Sequence, residues 1–384
     1  MAKYIFILGR NHELCKAEVF AVWPRLKKLS FEPPVLIVEG EISPRQAIER
    51  LGGTIKIAQA SDQEFSAENI EQMILNNADK SKKIFFGFSW YGTEDKKIGL
   101  AIKKQLKEKG VSSRLVTSKE KQLSSVIVEK NKLLANGSEI IVVSTPSLSP
   151  PSKGGEPIGY WGRTIAVQDF KAFSERDYGR PKRDMLSGSM PPKLAKIMIN
   201  LSQTALNANI LDPFCGSGTM LQEAILMGYQ NVVGSDISEK AIKDTENNLA
   251  WLKDKYKIKA SLKLFNSPAE AISTFVNKNS VDAIISEPYL GKPKKGNEST
   301  DSLSKEMAEL EQLYLNAFDE FKKVLKKGGR VVIIFPIFKH KNREVKMNIM
   351  PTLQGDGWVK QNKTPLVYSR VDQKVVREIN VFTM

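Results

Sequence analysis

The chain is organised around the stretch Asn209-Ile-Leu-Asp-Pro-Phe-Cys-Gly-Ser-Gly-Thr219. This stretch begins as a short apolar strand that ends at Asp212. Gly216 and Gly218 follow, and they allow the backbone to turn sharply and to lie close to a neighbour. The residues from Met220 to Met227 then show the period of a helix with one apolar face. A glycine turn that opens a helix presents backbone N–H groups to a ligand, so this turn predicts a binding site.

Two later strands end in polar residues at the same predicted edge. Asn231–Asp236 is a short apolar strand that ends in a carboxylate, about 24 residues after Asp212. An open α/β sheet places a ribose-binding carboxylate about 20 residues after its glycine turn. The strand that begins at Val281 ends in Ser286-Glu-Pro-Tyr289. Because such sheets bind ligands at the carboxyl ends of their strands, we expect the three strand ends to form one site.

The glycine turn lacks the two commonest nucleotide motifs. It is not G-x-G-x-x-G, which disfavours a dinucleotide. It is also not G-x-x-x-x-G-K-[ST], which disfavours nucleotide hydrolysis. At this point, a doubly wound domain that binds some other nucleotide remains an alternative.

Together, DPFCGSGT, GSD and a variant of D-P-P-Y resemble the amino-directed methyltransferases that use S-adenosylmethionine. The resemblance implies that Asp212 faces the amino-acid end of the cofactor and that Asp236 binds the ribose hydroxyls. Asn266 or Ser267, which stand where the family often has an acid, would hydrogen-bond the adenine amine. The implied cofactor-binding residues are Asp212, Pro213, Phe214, Gly216, Gly218, Thr219, Asp236, Ile237, Asn266 and Ser267.

The implied catalytic residues are Ser286, Glu287, Pro288 and Tyr289, which depart from the family's order of acid or amide, Pro, Pro, aromatic. If Tyr289 aligns with the aromatic residue, Ser286 takes the acid position. If Glu287 is the acid, one proline is missing. We favour Glu287 as an acceptor for the amine and Tyr289 as a ring that stacks on the base. The alternative is that Glu287 is a surface charge beside a core tyrosine.

The composition restricts the class of protein. The chain has 384 residues and a formal net charge of +15, which favours two or three domains and a polyanionic partner. An excess of lysine that serves solubility is the alternative. With two histidines, a histidine metal site or a Ser-His-Asp triad is disfavoured, and no metal is expected. Two distant cysteines, no visible signal peptide and no long apolar run favour a reducing, cytoplasmic location.

The N-terminal half resembles parts of tRNA-modifying enzymes. The opening LGRNHEL, with AEV after it, is similar to the ferredoxin-like α+β domain that precedes THUMP modules. The next strands and a basic helix look like a THUMP domain, which is an RNA-binding module. QDF and ERDYGRP resemble the segment that joins THUMP to methyltransferase in archaeal-type tRNA guanine-N2 methyltransferases. The predicted division is 1–78 (ferredoxin-like), 79–146 (THUMP-like), 147–186 (linker and connector) and 187–384 (Rossmann-like methyltransferase).

Two sets of basic residues are candidates for contacts with RNA phosphates. The first set is Lys103, Lys104, Lys107, Lys109, Lys119, Lys121, Lys130 and Lys132. The second set is Arg163, Arg176, Arg180 and Arg183 in the connector. The connector either lines an RNA path or simply joins two domains. For any single lysine, a solvated surface charge is the alternative.

Three local expectations complete the prediction. Ser125–Glu129 is expected to be a strand. The polar stretch Gly291–Ser304 either closes over the substrate or is a disordered loop. The last strand, Val375–Phe382, is expected to pair antiparallel.

The expected fold class is α/β, with a doubly wound, Rossmann-like methyltransferase domain after ferredoxin-like and THUMP domains. The expected function is S-adenosylmethionine-dependent methylation of the 2-amino group of a guanine in tRNA, with an accessory subunit left open. One alternative is a DNA or RNA amino-methyltransferase that acts on adenine or cytosine. Another is a catalytically inactive RNA-binding subunit, which the altered SEPY motif keeps open.

Overall fold

The computed structural model describes residues 1–144, 158–182, 190–340, 343–370 and 373–384. The chain forms two compact units. Unit 1 contains residues 1–12, 25–49 and 54–170, and unit 2 contains residues 13–24, 50–53 and 171–384.

The strands and helices of the described residues are numbered in chain order. The strands are β1 (Ala2–Leu8), β2 (Lys27–Glu32), β3 (Val35–Gly40), β4 (Thr54–Ala60), β5 (Ile84–Tyr91), β6 (Ser113–Val116), β7 (Gly137–Ser144), β8 (Ile158–Val167), β9 (Asn209–Asp212), β10 (Asn231–Asp236), β11 (Ser261–Asn266), β12 (Val281–Ser286), β13 (Leu325–His340), β14 (Arg343–Lys346), β15 (Val359–Lys360), β16 (Leu366–Tyr368) and β17 (Val375–Thr383). The helices are α1 (His12–Val22), α2 (Pro44–Arg50), α3 (Ala67–Asn76), α4 (Ile98–Glu108), α5 (Ser125–Lys130), α6 (Phe170–Tyr178), α7 (Pro192–Leu201), α8 (Thr219–Leu226), α9 (Glu239–Tyr256), α10 (Thr300–Val324) and α11 (Met350–Gly355), with a 3₁₀ helix at Ala269–Thr274.

Unit 1 is built on one mixed sheet with the strand order β2-β3-β1-β4-β8-β7-β5-β6. β5 pairs parallel with β6 and β7, and the other neighbours pair antiparallel. Strands from the predicted ferredoxin-like and THUMP-like segments therefore share this sheet. β8 lies between β4 and β7 although the sequence assigns its residues to the connector. The predicted boundary at residue 78 stays a prediction.

A network of buried polar groups crosses four adjacent strands of this sheet. Lys56 on β4 forms an ion pair with Glu139 on β7, and the two side chains are 3% and 0% exposed. Glu139 also accepts hydrogen bonds from Ser89 Oγ on β5 (2.5 Å) and Thr164 Oγ1 on β8 (2.8 Å). Lys56 Nζ donates to the carbonyl oxygen of Leu123 as well (2.5 Å). Both charges are thus paired and hydrogen-bonded, which a buried ion pair requires.

The predicted strand at Ser125–Glu129 is wrong, because these residues form helix α5. The hydroxyl of Ser124 caps the helix by accepting a hydrogen bond from Ile127 N (3.3 Å). Val128 is buried in a small core with Leu133. The β-branched residues favour a strand locally, but the cap and the packing of Val128 favour the helix.

Unit 2 is a doubly wound sheet with the strand order β11-β10-β9-β12-β13-β17-β15, with β14 paired to β13 and β16 to β17. The strands from β11 to β13 are parallel. β17 pairs antiparallel with β13, as predicted. Neighbouring residues of β9 face opposite cores: Ile210 lies in the core of α1, α7, α8 and α9, and Leu211 lies in that of α10 and α11. The predicted α/β class is therefore confirmed.

Helix α1 belongs to unit 2 although it lies near the start of the chain. Leu14 is buried in the core that also contains α7. Glu18 is buried and accepts hydrogen bonds from Gly52 N (2.7 Å), Gly53 N (2.8 Å) and Asn200 Nδ2 (2.7 Å). Burial raises the pKa of Glu18 to about 7. Unit 2 is thus assembled from three separate segments of the chain.

Candidate active site

The three predicted strand ends lie side by side in unit 2. β9 is hydrogen-bonded to β10 on one side and to β12 on the other. Asp212 ends β9, Asp236 ends β10 and Ser286 ends β12. Since these strands are parallel, their carboxyl ends meet at one edge of the sheet, where doubly wound sheets bind ligands.

Asp212 is a buried carboxyl group at the centre of this edge. Its Oδ1 accepts hydrogen bonds from Ser286 Oγ (2.5 Å) and Phe214 N (3.2 Å). Burial raises the pKa of Asp212 to about 7, against the effect of these hydrogen bonds, and the carboxylates of Asp236 and Glu287 raise it further. Asp212 is therefore affected by two further acidic groups, at the ends of β10 and β12.

The glycine turn after Asp212 closes on the protein itself. Gly216 N donates to Asp236 Oδ2 (2.9 Å), and Gly218 N donates to the carbonyl of Cys215 (2.8 Å). Both glycines have positive φ, and a Cβ at Gly218 would lie 2.9 Å from Thr245. A Cβ at Gly216 would enter open space. Two of the amides that the sequence assigns to a ligand are thus used internally, which makes this turn a poor anion site. The neighbouring Pro213 is buried.

Asp236 is followed by an exposed apolar side chain. Ile237 is 74% exposed. Asn266, at the end of β11, donates from Nδ2 to the carbonyls of Asp236 and Ile237 (2.9 Å each), which leaves its Oδ1 as an acceptor. Ser267 is buried, and its hydroxyl donates to a neighbouring backbone carbonyl (3.1 Å). Of the two predicted adenine contacts, Asn266 is therefore the accessible one.

The SEPY stretch has two engaged polar groups and one exposed ring. Ser286 is bonded to Asp212. Glu287 forms an ion pair with Arg377 of β17, through Oε1 and Nε, and these side chains are only 13% and 10% exposed. Pro288 is buried, whereas Tyr289 is 50% exposed. Glu287 is thus not a solvated surface charge, and Tyr289 is not a core residue.

The loop after Tyr289 is anchored to unit 2. Lys294 Nζ donates to both carboxylate oxygens of Glu306 on α10 (2.6 Å each) and lies 4.4 Å from the ring centroid of Phe338 on β13. Glu298 accepts hydrogen bonds from the amides of Lys295 (2.6 Å) and Gly296 (2.9 Å). The loop that follows the SEPY stretch therefore has defined contacts rather than only solvent around it.

Two connector arginines are internal to unit 2. Arg176 forms an ion pair with Glu223 of α8 (2.6 Å), and the side chains are 7% and 1% exposed. Arg180 is 3% exposed and donates from Nη1 to Thr219 Oγ1, at the first residue of α8. These arginines fix the end of α6 and the residues after it against α8. They do not line an exposed path.

The other connector arginines differ from these two. Arg163 lies on β8 in unit 1 and donates to Ser138 Oγ (3.2 Å). Arg183 and residues 147–157 of the predicted linker and connector lie outside the described residues. The chain therefore uses its described connector arginines mainly for internal bonds.

The site favours a ligand with positive charge. The carboxylates of Asp236 and Glu287 both act electrostatically on Asp212. The turn beside them offers few free amides to an anion. In the described part of the chain, no group of three or more His, Cys, Asp or Glu residues has the arrangement of a metal site. Within the same part, no helix combines the length and apolar character needed to cross a membrane.

Comparisons with known proteins show which families this chain resembles. A family model described as RMKL-like, methyltransferase domain matches residues 180–348. A second model, described as DNA methylase, matches residues 55–247, which is half of the chain. A probable tRNA (guanine(10)-N2)-dimethyltransferase of Methanothermococcus thermolithotrophicus is 34% identical over 145 residues, which cover 36% of this chain and 77% of that protein. The chain belongs to the methyltransferase family that these matches describe.

For a further relative, the match covers only part of the protein. The tRNA (guanine(10)-N2)-dimethyltransferase of Methanothermobacter thermautotrophicus is 34% identical over 175 residues, or 45% of this chain and 46% of that relative. The match thus spans about half the length of this relative. The crystal structure of TrmN from Thermus thermophilus covers 99% of this chain and 99% of its own, with a TM-score of 0.54 and 15% identity. At this level of identity the likeness concerns the fold alone, and it agrees with the α/β class.

Some residues of the site have no sequence signal of their own. Arg377 lies 90 positions after its partner Glu287. Asn248 of α9 donates to the carbonyls of Ser217 and Lys182 (2.9 Å each), so it joins the glycine turn to the connector. Only the pairing of β17 with β13 brings Arg377 to the site. A single sequence without relatives gives no sign of such long-range pairs.

Proposed function

We propose that this protein is an S-adenosylmethionine-dependent tRNA methyltransferase that modifies the exocyclic 2-amino group of a guanine. The observation that carries the proposal is the group of three carboxylates, Asp212, Asp236 and Glu287, at the carboxyl edge of a methyltransferase sheet. Two of the matching relatives carry the name tRNA (guanine(10)-N2)-dimethyltransferase, one of them as a probable enzyme. The archaeal-type resemblance of the connector points to the same substrate.

The residues at this edge fit the cofactor. S-adenosylmethionine supplies a methyl group on a positively charged sulfur that is already a good leaving group. In this proposal Asp212 receives the ammonium of its amino-acid end, and Asp236 receives the ribose hydroxyls. The exposed side chain of Ile237 is available to cover the adenine ring, and Asn266 Oδ1 to accept from its amine. The open space beside Gly216 leaves room for the ligand.

The SEPY stretch would hold the target base. The 2-amino group of guanine is conjugated with the ring and is therefore a weak nucleophile. Glu287 uses Oε1 for Arg377, so Oε2 is left to accept an N–H of the amine and to direct its lone pair to the methyl group. Tyr289 is half exposed beside it and can stack on the base. Orientation of this kind is the main contribution that methyl transfer from a sulfonium requires.

Unit 1 would provide part of the RNA affinity, as a THUMP-like domain would. Of the lysines predicted to contact phosphates, Lys109 is paired with Glu71 (2.8 Å) and Lys104 lies 3.8 Å from Glu108. The remaining ones are exposed: Lys103, Lys107, Lys119, Lys121, Lys130 and Lys132. Exposed lysines of this kind add salt-dependent affinity that does not depend on sequence.

The identity of the modified nucleoside tests the proposal. The protein is incubated with bulk unmodified tRNA and cofactor labelled in the methyl group, and the digested RNA is separated into nucleosides. We expect the label in N2-methylguanosine or in its dimethylated form. Label in methyladenosine or methylcytidine would contradict the choice of base and support the alternative amino-methyltransferase.

One observation favours a second candidate, an inactive RNA-binding protein. Glu287 is already paired with Arg377, and Ser286 takes the acid position if Tyr289 aligns with the aromatic residue of the family's motif. Binding of the demethylated cofactor, measured by calorimetry, together with no labelled nucleoside from any tRNA pool, would favour that candidate. Turnover on tRNA would exclude it.

The proposed contact between Asp212 and the cofactor makes cofactor binding sensitive to pH. Burial raises the pKa of the Asp212 carboxyl group to about 7. The folded protein is therefore stabilised by the protonated form of Asp212, fully below about pH 4. This contribution to the stability of the free protein is lost as the pH rises through 7. A bound ammonium favours the ionised carboxylate, so binding below pH 7 must release a proton. We expect affinity for S-adenosylhomocysteine to fall by up to about tenfold per pH unit below 7.

The matched variant for this measurement is Asp212→Asn. Its Oδ1 can still accept from Ser286 and Phe214, which keeps the local hydrogen bonds. Calorimetric titrations from pH 5.5 to 8.5 should show weaker binding by the variant and a much flatter pH dependence. Equal pH dependence in the two proteins would remove Asp212 from the cofactor site.

A further inference from the structure

A group of exposed cations lies on three segments of unit 2 that meet beside the SEPY stretch. These segments are the loop after Tyr289, the hairpin formed by the end of β13 with β14, and the residue that precedes β17. The cations are Lys292, Lys295, Lys339, Arg343 and Lys374, and each is exposed. We call this group the basic rim.

Contacts between the three segments place these cations together. Lys294 of the loop lies over Phe338, the residue before Lys339. A Cβ on Gly296 would lie 3.2 Å from Lys374 Cε. Lys339 N donates to the carbonyl of Lys374 (2.8 Å). Arg343 pairs with His340 across the hairpin. The rim is therefore one continuous surface and not a set of scattered lysines.

The neighbouring carboxylates are already engaged by other groups. Glu306 binds Lys294, whose side chain is 3% exposed, and Glu298 accepts from two loop amides. Glu344, which lies opposite Lys339 in the hairpin, forms an ion pair with Lys346 (2.9 Å). None of the five rim cations has an ion-pair partner among the described residues. The rim thus has an excess of positive charge that the protein does not neutralise.

The rim extends in one direction from the carboxyl edge of the sheet, where the SEPY stretch lies. Ile333 of β13 is level with Ser286 of β12, and Lys339 follows six residues later. At about 3.3 Å per residue, this part of β13 reaches about 20 Å beyond the level of the SEPY stretch. At its near end, Lys292 is three residues from Tyr289. A polyanion that placed one unit at Tyr289 would pass along these cations.

We propose that the basic rim binds the phosphates that flank the target nucleotide of the RNA substrate. The proposal rests on the proposed function for the identity of the base, but not for the binding of a nucleic-acid backbone. The rim holds the RNA backbone on one side of the base that reaches Glu287 and Tyr289, and this contact fixes the register of the RNA at the site. Anchoring by Lys294, Glu306 and Phe338 keeps the loop part of the rim in place.

The test compares two variants with equal changes in charge. The rim variant carries Lys292→Gln, Lys295→Gln and Lys374→Gln. The control variant carries Lys278→Gln, Lys322→Gln and Lys327→Gln, which are exposed lysines before β12, at the end of α10 and at the start of β13. These control positions lie at the amino ends of the strands, on the side of the sheet opposite the carboxyl edge.

Binding of tRNA is titrated at 50 to 300 mM salt, without any need for methyl transfer. We expect the slope of log affinity against log salt to fall by about 2 to 3 in the rim variant, since each phosphate contact contributes about 0.7 to 0.9. At 150 mM salt, the dissociation constant should rise roughly 10- to 100-fold. The control variant should keep the slope of the wild type.

Steady-state kinetics separate the rim from the reaction itself. Where the protein methylates tRNA, the rim variant should raise KM for tRNA by the same factor and leave kcat within about twofold. A reduced salt slope in a protein that methylates no tRNA would uphold the rim and count only against the proposed function. Equal slopes and equal tRNA affinities for the rim and control variants would overturn the proposal.

Discussion

Replacing Glu287 with alanine is expected to lower the rate of methyl transfer at least about 100-fold while the affinity for S-adenosylhomocysteine changes little. The loss of one preorganised group that acts on the reacting centre typically costs 10²–10³ in rate. In the proposed function, Arg377 holds one carboxylate oxygen of Glu287 and the other oxygen would accept from the amine. Single-turnover rates with saturating tRNA and cofactor measure the effect.

The ion pair with Arg377 provides the control for this experiment. Both side chains are nearly buried, so the removal of either partner should also destabilise unit 2, by about 3 kcal/mol. The double variant Glu287→Ala/Arg377→Ala leaves no unpaired charge and should recover much of that stability. If Glu287 accepts from the amine, the double variant regains stability but not transfer. Recovery of both would show that the residue serves only to pair with Arg377.

Replacing Lys56 with methionine is expected to destabilise unit 1 by about 3–5 kcal/mol. The change leaves Glu139 charged and buried in the middle of the sheet, and the loss of one partner from a buried ion pair has a cost of this size. Hydrogen exchange of the amides in β4, β5, β7 and β8 measures the effect where it arises. Exchange in β9, β10 and β12 should stay unchanged.

The matched double variant is Lys56→Met/Glu139→Met. It replaces the ion pair with apolar side chains of similar length and should recover part of the lost stability. The recovery is incomplete because Ser89, Thr164 and the carbonyl of Leu123 lose their partner. A single Lys56→Met variant that changed the free energy of unfolding by less than about 1 kcal/mol would contradict the role given to the network.

The sequence predicts most of unit 2 because its signals are local. The apolar strands that end at Asp212, Asp236 and Ser286 have the bounds expected for them at those ends. Their shared edge follows from the rule that parallel strands bind ligands at their carboxyl ends. Ser238 caps α9 by accepting from Ala241 N (3.3 Å), and this signal is also local.

The features that the sequence does not predict depend on distant partners. β8 has no clean period because it is an interior strand between β4 and β7, with Trp161 buried in the core of unit 1. Arg180 looks like an RNA-contacting residue in the sequence, and only the fold shows its bond to Thr219. The amides of the glycine turn are likewise occupied by groups that tertiary structure brings to them. Side-chain chemistry alone does not distinguish an exposed cation from a buried one.

Residues that contact each other in unit 2 are synthesised far apart in time. Glu18 is hydrogen-bonded to Asn200, which is translated 182 residues later. At about 5–20 residues per second, helix α1 waits roughly 9 to 36 s for that partner. During this interval Leu14 and the other apolar residues of α1 are without their final packing, which makes this early helix a natural target for a chaperone. A gene shortened to start after residue 24 would therefore also remove part of unit 2, although most of unit 2 is encoded at the other end of the message.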